Sequence, residues 1–308
     1  MEPNAQIHAM FTSKFDGTSL RYPHARAGEG YTVREYQRQW GTKNRTLPEY
    51  LNAFQLAYYC FEQLASILAR DAAICYAVHL HVVWPGSKPL TELELLADGL
   101  LQVTEQYAVM FTSASGECGA DATVSLQATA LVGQREAYVP QAGDPLVLWM
   151  PYGEAQLGAL LLERGSARTP LDFDEGERQR YISAFLQPPP ALLIARLLQQ
   201  NAISFMACPL PDAFVSLEPF AIESVLTGFT AQWRVEKLVT DHIVRATCAL
   251  GFEVDALQYG DDTQLLWLLS QHSYMDACRL ISQRFELSPQ EAGHLVRNYD
   301  ASSAEEPS

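Results

Sequence analysis

The chain has 308 residues, 48% of them hydrophobic, enough to bury one large core or two ordinary ones. It carries 36 acidic against 21 basic side chains, a net charge of −15. That balance argues against non-specific nucleic-acid binding and against docking on anionic membranes, because both need a basic field. An anionic ligand would need local basic groups or a metal ion to offset the acid. There is no run of 18 apolar residues to span a membrane, and the opening MEPNAQIHAM lacks the charged start and apolar run of a signal peptide. The six cysteines (Cys60, Cys75, Cys118, Cys208, Cys248, Cys278) are scattered without a CxxC pair. This disfavours a disulfide framework or a structural zinc site and points to a reducing, cytoplasmic setting.

Residues 1–45 are polar and punctuated by glycine, with one short strand expected near Met10–Phe15. Thr46-Leu-Pro-Glu49 reads as a capping box. After it Leu51, Phe54, Tyr58, Phe61, Ala65 and Leu68 recur at steps of three and four, which predicts a long helix. Residues 74–84, ICYAVHLHVVW, read as a buried strand ending at Pro85. Thr91 and Glu94 form a second capping box, predicting a helix to about Tyr107. Short strands are expected at Val109–Thr112, Thr123–Val132 and Leu146–Met150, and a helix from Gly153 to Glu163. The polar stretch GSARTPLDFDEGERQR is the best candidate for a domain boundary. Beyond it the pattern predicts helices at 174–186, 190–200, 216–225, 236–250, 273–285 and 288–298, the last opened by the capping box Ser288-Pro-Gln-Glu291. One strand, Gln264–Ser270, interrupts them, and the tail 301–308 is expected to be disordered. Strands and helices alternate in both halves, which indicates an α/β or α+β class.

The order of these segments resembles one family. Residues 95–162 run helix, strand, the loop Gly116-Glu-Cys-Gly-Ala-Asp121-Ala, strand, Ala142-Gly-Asp144, strand, then Gly153-Glu-Ala-Gln-Leu-Gly158 opening a helix. The aminoimidazole-ribonucleotide synthetase superfamily has "GARPGD", a strand and "G.lG.aaLG" at that spacing. ALGFEVDALQYGDDTQLLWLLS, ending at Ser270, is similar to the "ALGL…AL.GGDDYELLFTV" of thiamine-monophosphate kinases, and the PPP of 188–190 resembles their "PEPR". The resemblance covers about 10–285. It implies a two-domain fold: residues 1–150 as a dimerising α/β domain whose strands form a barrel with a second subunit, and 151–300 as an α/β domain covering it. Such a homodimer needs apolar strand faces near 74–84 and 123–132. The resemblance also implies ATP and Mg²⁺ in a cleft between the halves, with the γ-phosphoryl passing to the phosphate of thiamine monophosphate. That chemistry uses clustered carboxylates to hold the metal against the phosphates.

The candidate metal and nucleotide ligands carried over by the resemblance are four aspartates. Asp16 falls where the family has a strand-end "sTD", Asp121 near the aspartate of "GGDT", Asp212 at the last aspartate of "DISDG", and Asp262, next to Asp261, in the segment matching "GGDDYEL". Each has a plain alternative as a turn residue. The departures are heavy. No Gly-Asp-Asp run precedes Asp16. The helix motif "NLSDLAAMGA" is Cys60-Phe-Glu-Gln-Leu-Ala-Ser-Ile-Leu-Ala69, so its aspartate is Gln63 and its glycine Leu68. Ala213 replaces the glycine of "DISDG", and Ala191 replaces the "PEPR" arginine. Hydrophobic patterning is kept while polar site residues are not. The expectation is therefore a catalytically impaired relative used for ligand or protein binding, the alternative being an active Mg²⁺- and ATP-dependent phosphotransferase.

Other constellations are weaker. His79 and His81, two apart on a strand, share a face and can ligate zinc, but no third ligand is evident from spacing, and packed or edge-strand histidines are the plainer reading. Glu117, Cys118 and Asp121 read as a polar loop before a metal site. Arg21, His24, Arg26, Arg34, Arg38, Lys43 and Arg45 gather positive charge within 25 positions of an acidic chain. Arg34 and Arg38 are the candidates there for an anionic ligand or an acidic partner.

Overall fold

The computed structural model describes residues 3–15, 31–42, 46–133, 138–165, 174–209, 229–234, 244–246 and 265–297. The expected helix 216–225, and all but 244–246 of the expected helix 236–250, lie outside the described residues.

The first half is a four-stranded sheet with helices on one face. Its strands are β1 (Tyr31–Trp40), β2 (Ile74–Pro85), β3 (Met110–Gly119) and β4 (Thr123–Gly133), in the order β1-β4-β2-β3. β2 and β3 run parallel and the other pairs antiparallel. α2 (Ala53–Arg70) and α3 (Leu90–Gln106) cover one face. Alternation decides which: Val78, Leu80, Val82 and Trp84 of β2 and Val124, Leu126, Ala128 and Ala130 of β4 are buried in one core with Leu64, Leu68, Leu96 and Leu100 of the helices. These apolar residues are thus spent on the helices of their own chain. The opposite face is mixed: β2 turns Ile74, Tyr76 and Val83 to it along with His79 and His81, and Gln127 of β4 and Ser113 of β3 lie beside the histidines. The sheet is open, and no closed barrel forms among the described residues.

Several boundaries differ from expectation for local reasons. Met10–Phe15 belongs not to a strand but to α1 (Pro3–Phe15), whose Ile7 and Phe11, one turn apart, enter the same core and pack over Gly116 of β3. β1 was not foreseen. Its residues alternate, with Arg38 and Trp40 buried between exposed glutamines. The capping box at Thr46 is not used. The chain turns at Pro48–Leu51 and α2 starts at Asn52, whose side chain accepts from the Gln55 amide at 2.9 Å while Gln55 caps back. α3 starts after Pro89 with no side-chain cap, so Thr91 and Glu94 form no box.

The second half is an antiparallel five-stranded sheet. It comprises β5 (Pro145–Leu148), β6 (Phe205–Pro209), β7 (Phe229–Trp233), β8 (Leu265–Leu269) and β9 (Gln290–Arg297), ordered β6-β8-β5-β9-β7. α4 (Glu154–Arg164), α5 (Glu175–Leu186), α6 (Ala191–Gln200) and α7 (Tyr274–Phe285) accompany it. One sheet face meets α6 and α7 through Val147, Trp267, Leu269, Ile194 and Ile281. The expected helix 288–298 is instead β9: Ala292 and Leu295 enter the other core of the sheet, and the strand is paired on both sides. Asp144, in the Ala-Gly-Asp run, is buried and fastens this sheet. Its carboxylate accepts from the Tyr138 hydroxyl at 2.6 Å and from the amides of Gln141 and Gln271, both at 2.9 Å, and its carbonyl from Leu295 at 2.9 Å. Burial first, and then this carboxylate, push the Tyr138 phenol well above its ordinary value.

Candidate functional site

The register gathers one edge of the first sheet. β1 ends at Trp40 opposite Val124, and β2 and β3 end together at Pro85 and Gly119. The β3–β4 turn, with Glu117, Cys118 and Asp121, lies at the same end. Gly41 makes this edge close. Its φ is +83°, and a Cβ there would stand 2.1 Å from the Ala122 carbonyl oxygen, so only glycine fits with β1 ending beside Asp121. Asp121 is exposed. Across the edge, the Cys118 amide donates to Asn4 Oδ1 of α1 at 2.7 Å.

Behind the edge lies a polar network that sequence reasoning missed. The Trp40 indole N–H donates to Gln63 Oε1 at 2.8 Å, and Arg38 donates to the Gln63 carbonyl at 3.1 Å. Arg38 is buried and Trp40 fully so. Arg34, on the exposed stretch of β1, pairs with Asp71 at 3.1 Å, and the Tyr36 hydroxyl donates to the same carboxylate at 2.5 Å. Burial and Asp71 raise the Tyr36 phenol far above its ordinary value. Arg34 and Arg38 therefore both hold β1 to α2. Alternation with Trp40 was the only signal for this inward turn, and the arginines masked it.

A second network lies on the far side of α2. The Tyr107 hydroxyl is 2.7 Å from both oxygens of the buried Glu62, and Arg196 of α6 donates to the carbonyls of Tyr107 and Cys75, each at 3.0 Å. Glu62 also lines a cleft of about 440 Å³ between α2, α3 and the PPP segment, with Phe54, Tyr58, Gln102, Gln106 and Pro188. Ala191, in place of the motif's arginine, is buried at the start of α6.

Of the four candidate aspartates, Asp16, Asp212 and Asp262 lie outside the described residues. The stretch before Asp16 is helical rather than the end of a strand. No three of His, Cys, Asp and Glu gather as metal ligands among the described residues, Glu117, Cys118 and Asp121 included. At Gln63 the donor set does not fit Mg²⁺: the side chain is an amide whose oxygen already accepts from Trp40, where the metal calls for carboxylate and water oxygens. No helix among the described residues is long and apolar enough to cross a membrane.

No protein-family model matches the sequence, and neither does any curated protein. Solved structures do match. Thiamine-monophosphate kinase from Stenotrophomonas maltophilia superposes with a TM-score of 0.67 at 18% identity, over 95% of this chain and 92% of its own. AaThiL, complexed with AMPPCP and TMP, gives 0.63 at 14% identity, over 87% and 82%. HypE of E. coli, a hydrogenase maturation protein, gives 0.68 at 11% identity, over 95% and 90%. The likeness is one of fold: over nearly its whole length the chain is similar in architecture to thiamine-monophosphate kinase and to HypE.

Proposed function

We propose that this chain is a divergent relative of thiamine-monophosphate kinase that has lost phosphoryl transfer and uses the fold, as a homodimer, to bind a ligand or a protein. In this reading residues 1–150 form the dimerising half and 151–300 the half that covers it. The observation that carries the proposal is Gln63. The helix motif has an aspartate there in the kinases; here a neutral amide is buried and engaged by Trp40. Leu68, where the motif has glycine, is fully buried in the core. Both changes exchange ligand contact for packing, and the first removes a negative charge of the kind that holds Mg²⁺ against a triphosphate. A cytoplasmic setting accords with Cys60, Cys75, Cys118, Cys208 and Cys278 all being free thiols.

The alternative is an active Mg²⁺- and ATP-dependent phosphotransferase using Asp16, Asp121, Asp212 and Asp262. A structural neighbour, AaThiL, was solved with AMPPCP and TMP, and a HypE with ATP. Calorimetric titration with a non-hydrolysable ATP analogue separates the two readings. The expected outcome is no Mg²⁺-dependent heat at millimolar nucleotide. Binding that requires Mg²⁺ would overturn the proposal and restore the phosphotransferase.

A further inference from the structure

The open face of the first sheet carries a pair of histidines set up as metal ligands. His79 and His81 lie on β2, an interior strand flanked by β3 and β4, not an edge strand. Being two apart, they leave the same face side by side, with Cα atoms roughly 6.6 Å apart. Each is directly opposite a serine of β3: His79 pairs with Ser113 and His81 with Ser115. Each ring meets that serine through Nδ1, His79 in a short contact with Ser113 Oγ and His81 at 3.0 Å from Ser115 Oγ. Both imidazoles therefore lean toward β3 in the same orientation. No group among the described residues engages either Nε2.

This is the arrangement that metal-binding histidines use. One ring nitrogen is held by a hydrogen-bonding partner, which orients the ring, and the other faces the ion; a serine hydroxyl can accept from Nδ1–H, the tautomer that leaves the Nε2 lone pair for a metal. On β4 the Cα partners of the two histidines are Gln127 and Ser125, which are occupied with Glu35 (3.2 Å) and Gln37 (3.3 Å). Glu35 of β1 and, two pairs further along β2–β3, Glu117 opposite Val83 leave the face acidic rather than basic.

We propose that His79 and His81, oriented by Ser113 and Ser115, form a bidentate site on the open sheet face for a borderline divalent transition metal of the Zn²⁺ class. Imidazole nitrogens suit this class, whereas the hard cations of phosphoryl transfer prefer oxygen. The remaining positions of the ion are left to water or an incoming donor. Both ligands come from one chain, and the proposal does not depend on the loss of kinase chemistry.

The test is calorimetric titration of the full chain with ZnCl₂ in a non-chelating buffer. His79→Gln and His81→Gln are each expected to weaken binding tenfold or more, and Ser115→Ala by a smaller factor, toward the lower end of the 10- to 100-fold range typical of lost outer-shell partners. His272→Gln, on an exposed turn away from the sheet, should leave binding unchanged. Histidine-ring NMR on the wild type tests the same point without a variant: sub-stoichiometric Zn²⁺ should perturb the ring signals of His79 and His81 before any other. Full affinity in the double variant, Zn²⁺ perturbing other histidines first, or wild-type binding at millimolar metal only would each overturn the assignment.

Discussion

Gln63 and Trp40 depend on each other. A buried side-chain amide without a partner is expensive, and so is a buried indole N–H, and here each answers the other at 2.8 Å. Trp40→Phe keeps most of the ring volume and removes only the donor, so the amide oxygen of Gln63 is left unsatisfied. The expected outcome is a loss of about 1–3 kcal/mol, read from urea denaturation with an unchanged m-value. A loss near zero would mean that water reaches Gln63, and the argument that this residue has been turned into packing would fall with it. The sequence shows the exchange of aspartate for glutamine but not its partner, because Trp40 is 23 positions away on a strand that polar composition hides. Arg34 and Arg38 are similar: their charge is legible in the sequence, but their partners in α2 and at its end, the Gln63 carbonyl and Asp71, are not.

The helices of the second half show what close approach demands of single residues. α4 and α5 cross at Gly158, where a Cβ would stand 2.0 Å from the Tyr181 carbonyl oxygen and 2.9 Å from Phe185 Cβ. Glu154 at the start of α4 reaches Arg180 of α5 at 3.0 Å and holds the same crossing. Gly158→Ala must push backbone from backbone, and the expected destabilisation is about 3 kcal/mol, the upper end for overpacking. Gly176, in the first turn of α5, is a control. An added Cβ there meets only the Asp174 side chain at 3.4 Å, so Gly176→Ala should be neutral or stabilising by up to about 1 kcal/mol, following helix propensity. Equal effects in thermal or urea denaturation would refute this account of the crossing. The glycine pair of Gly153-Glu-Ala-Gln-Leu-Gly158 was legible as a motif, but its use here, a helix start and a helix crossing, is not a matter of sequence pattern. Elements with a regular period were legible: α2, α3, α5, α6 and α7, and the apolar strands β2, β4 and β8. β1, β6, β7 and β9 were not. Polar residues conceal the alternation of β1, β6 and β7 are only five residues long, and in β9 a capping-box sequence is overridden by pairing on both flanks.

At the scale of the molecule, the open face of the first sheet decides how the chain assembles. A half-covered antiparallel sheet normally presents polar residues to water, and Gln37, Gln127, His79 and Ser113 fit that description. The parallel pairing of β2 with β3 points the other way, since parallel strands are found mostly where both faces are covered. The edge strand β1 adds Val33 and Tyr31, exposed at 56% and 46%, to the same half of the molecule. A second chain laid on this face would cover the parallel pair and the exposed Val33, joined more by hydrogen bonds than by apolar contact. Such an interface tolerates charge poorly, because each buried ion must be paired. Sedimentation velocity at micromolar concentration is therefore expected to give twice the chain mass of 34.3 kDa. Gln127→Arg, a charge placed at the middle of the face, should return the protein to a single chain with its far-UV circular dichroism intact. A wild-type monomer would mean that the polar face is turned to water, and the homodimer would have to be abandoned even though the fold stands.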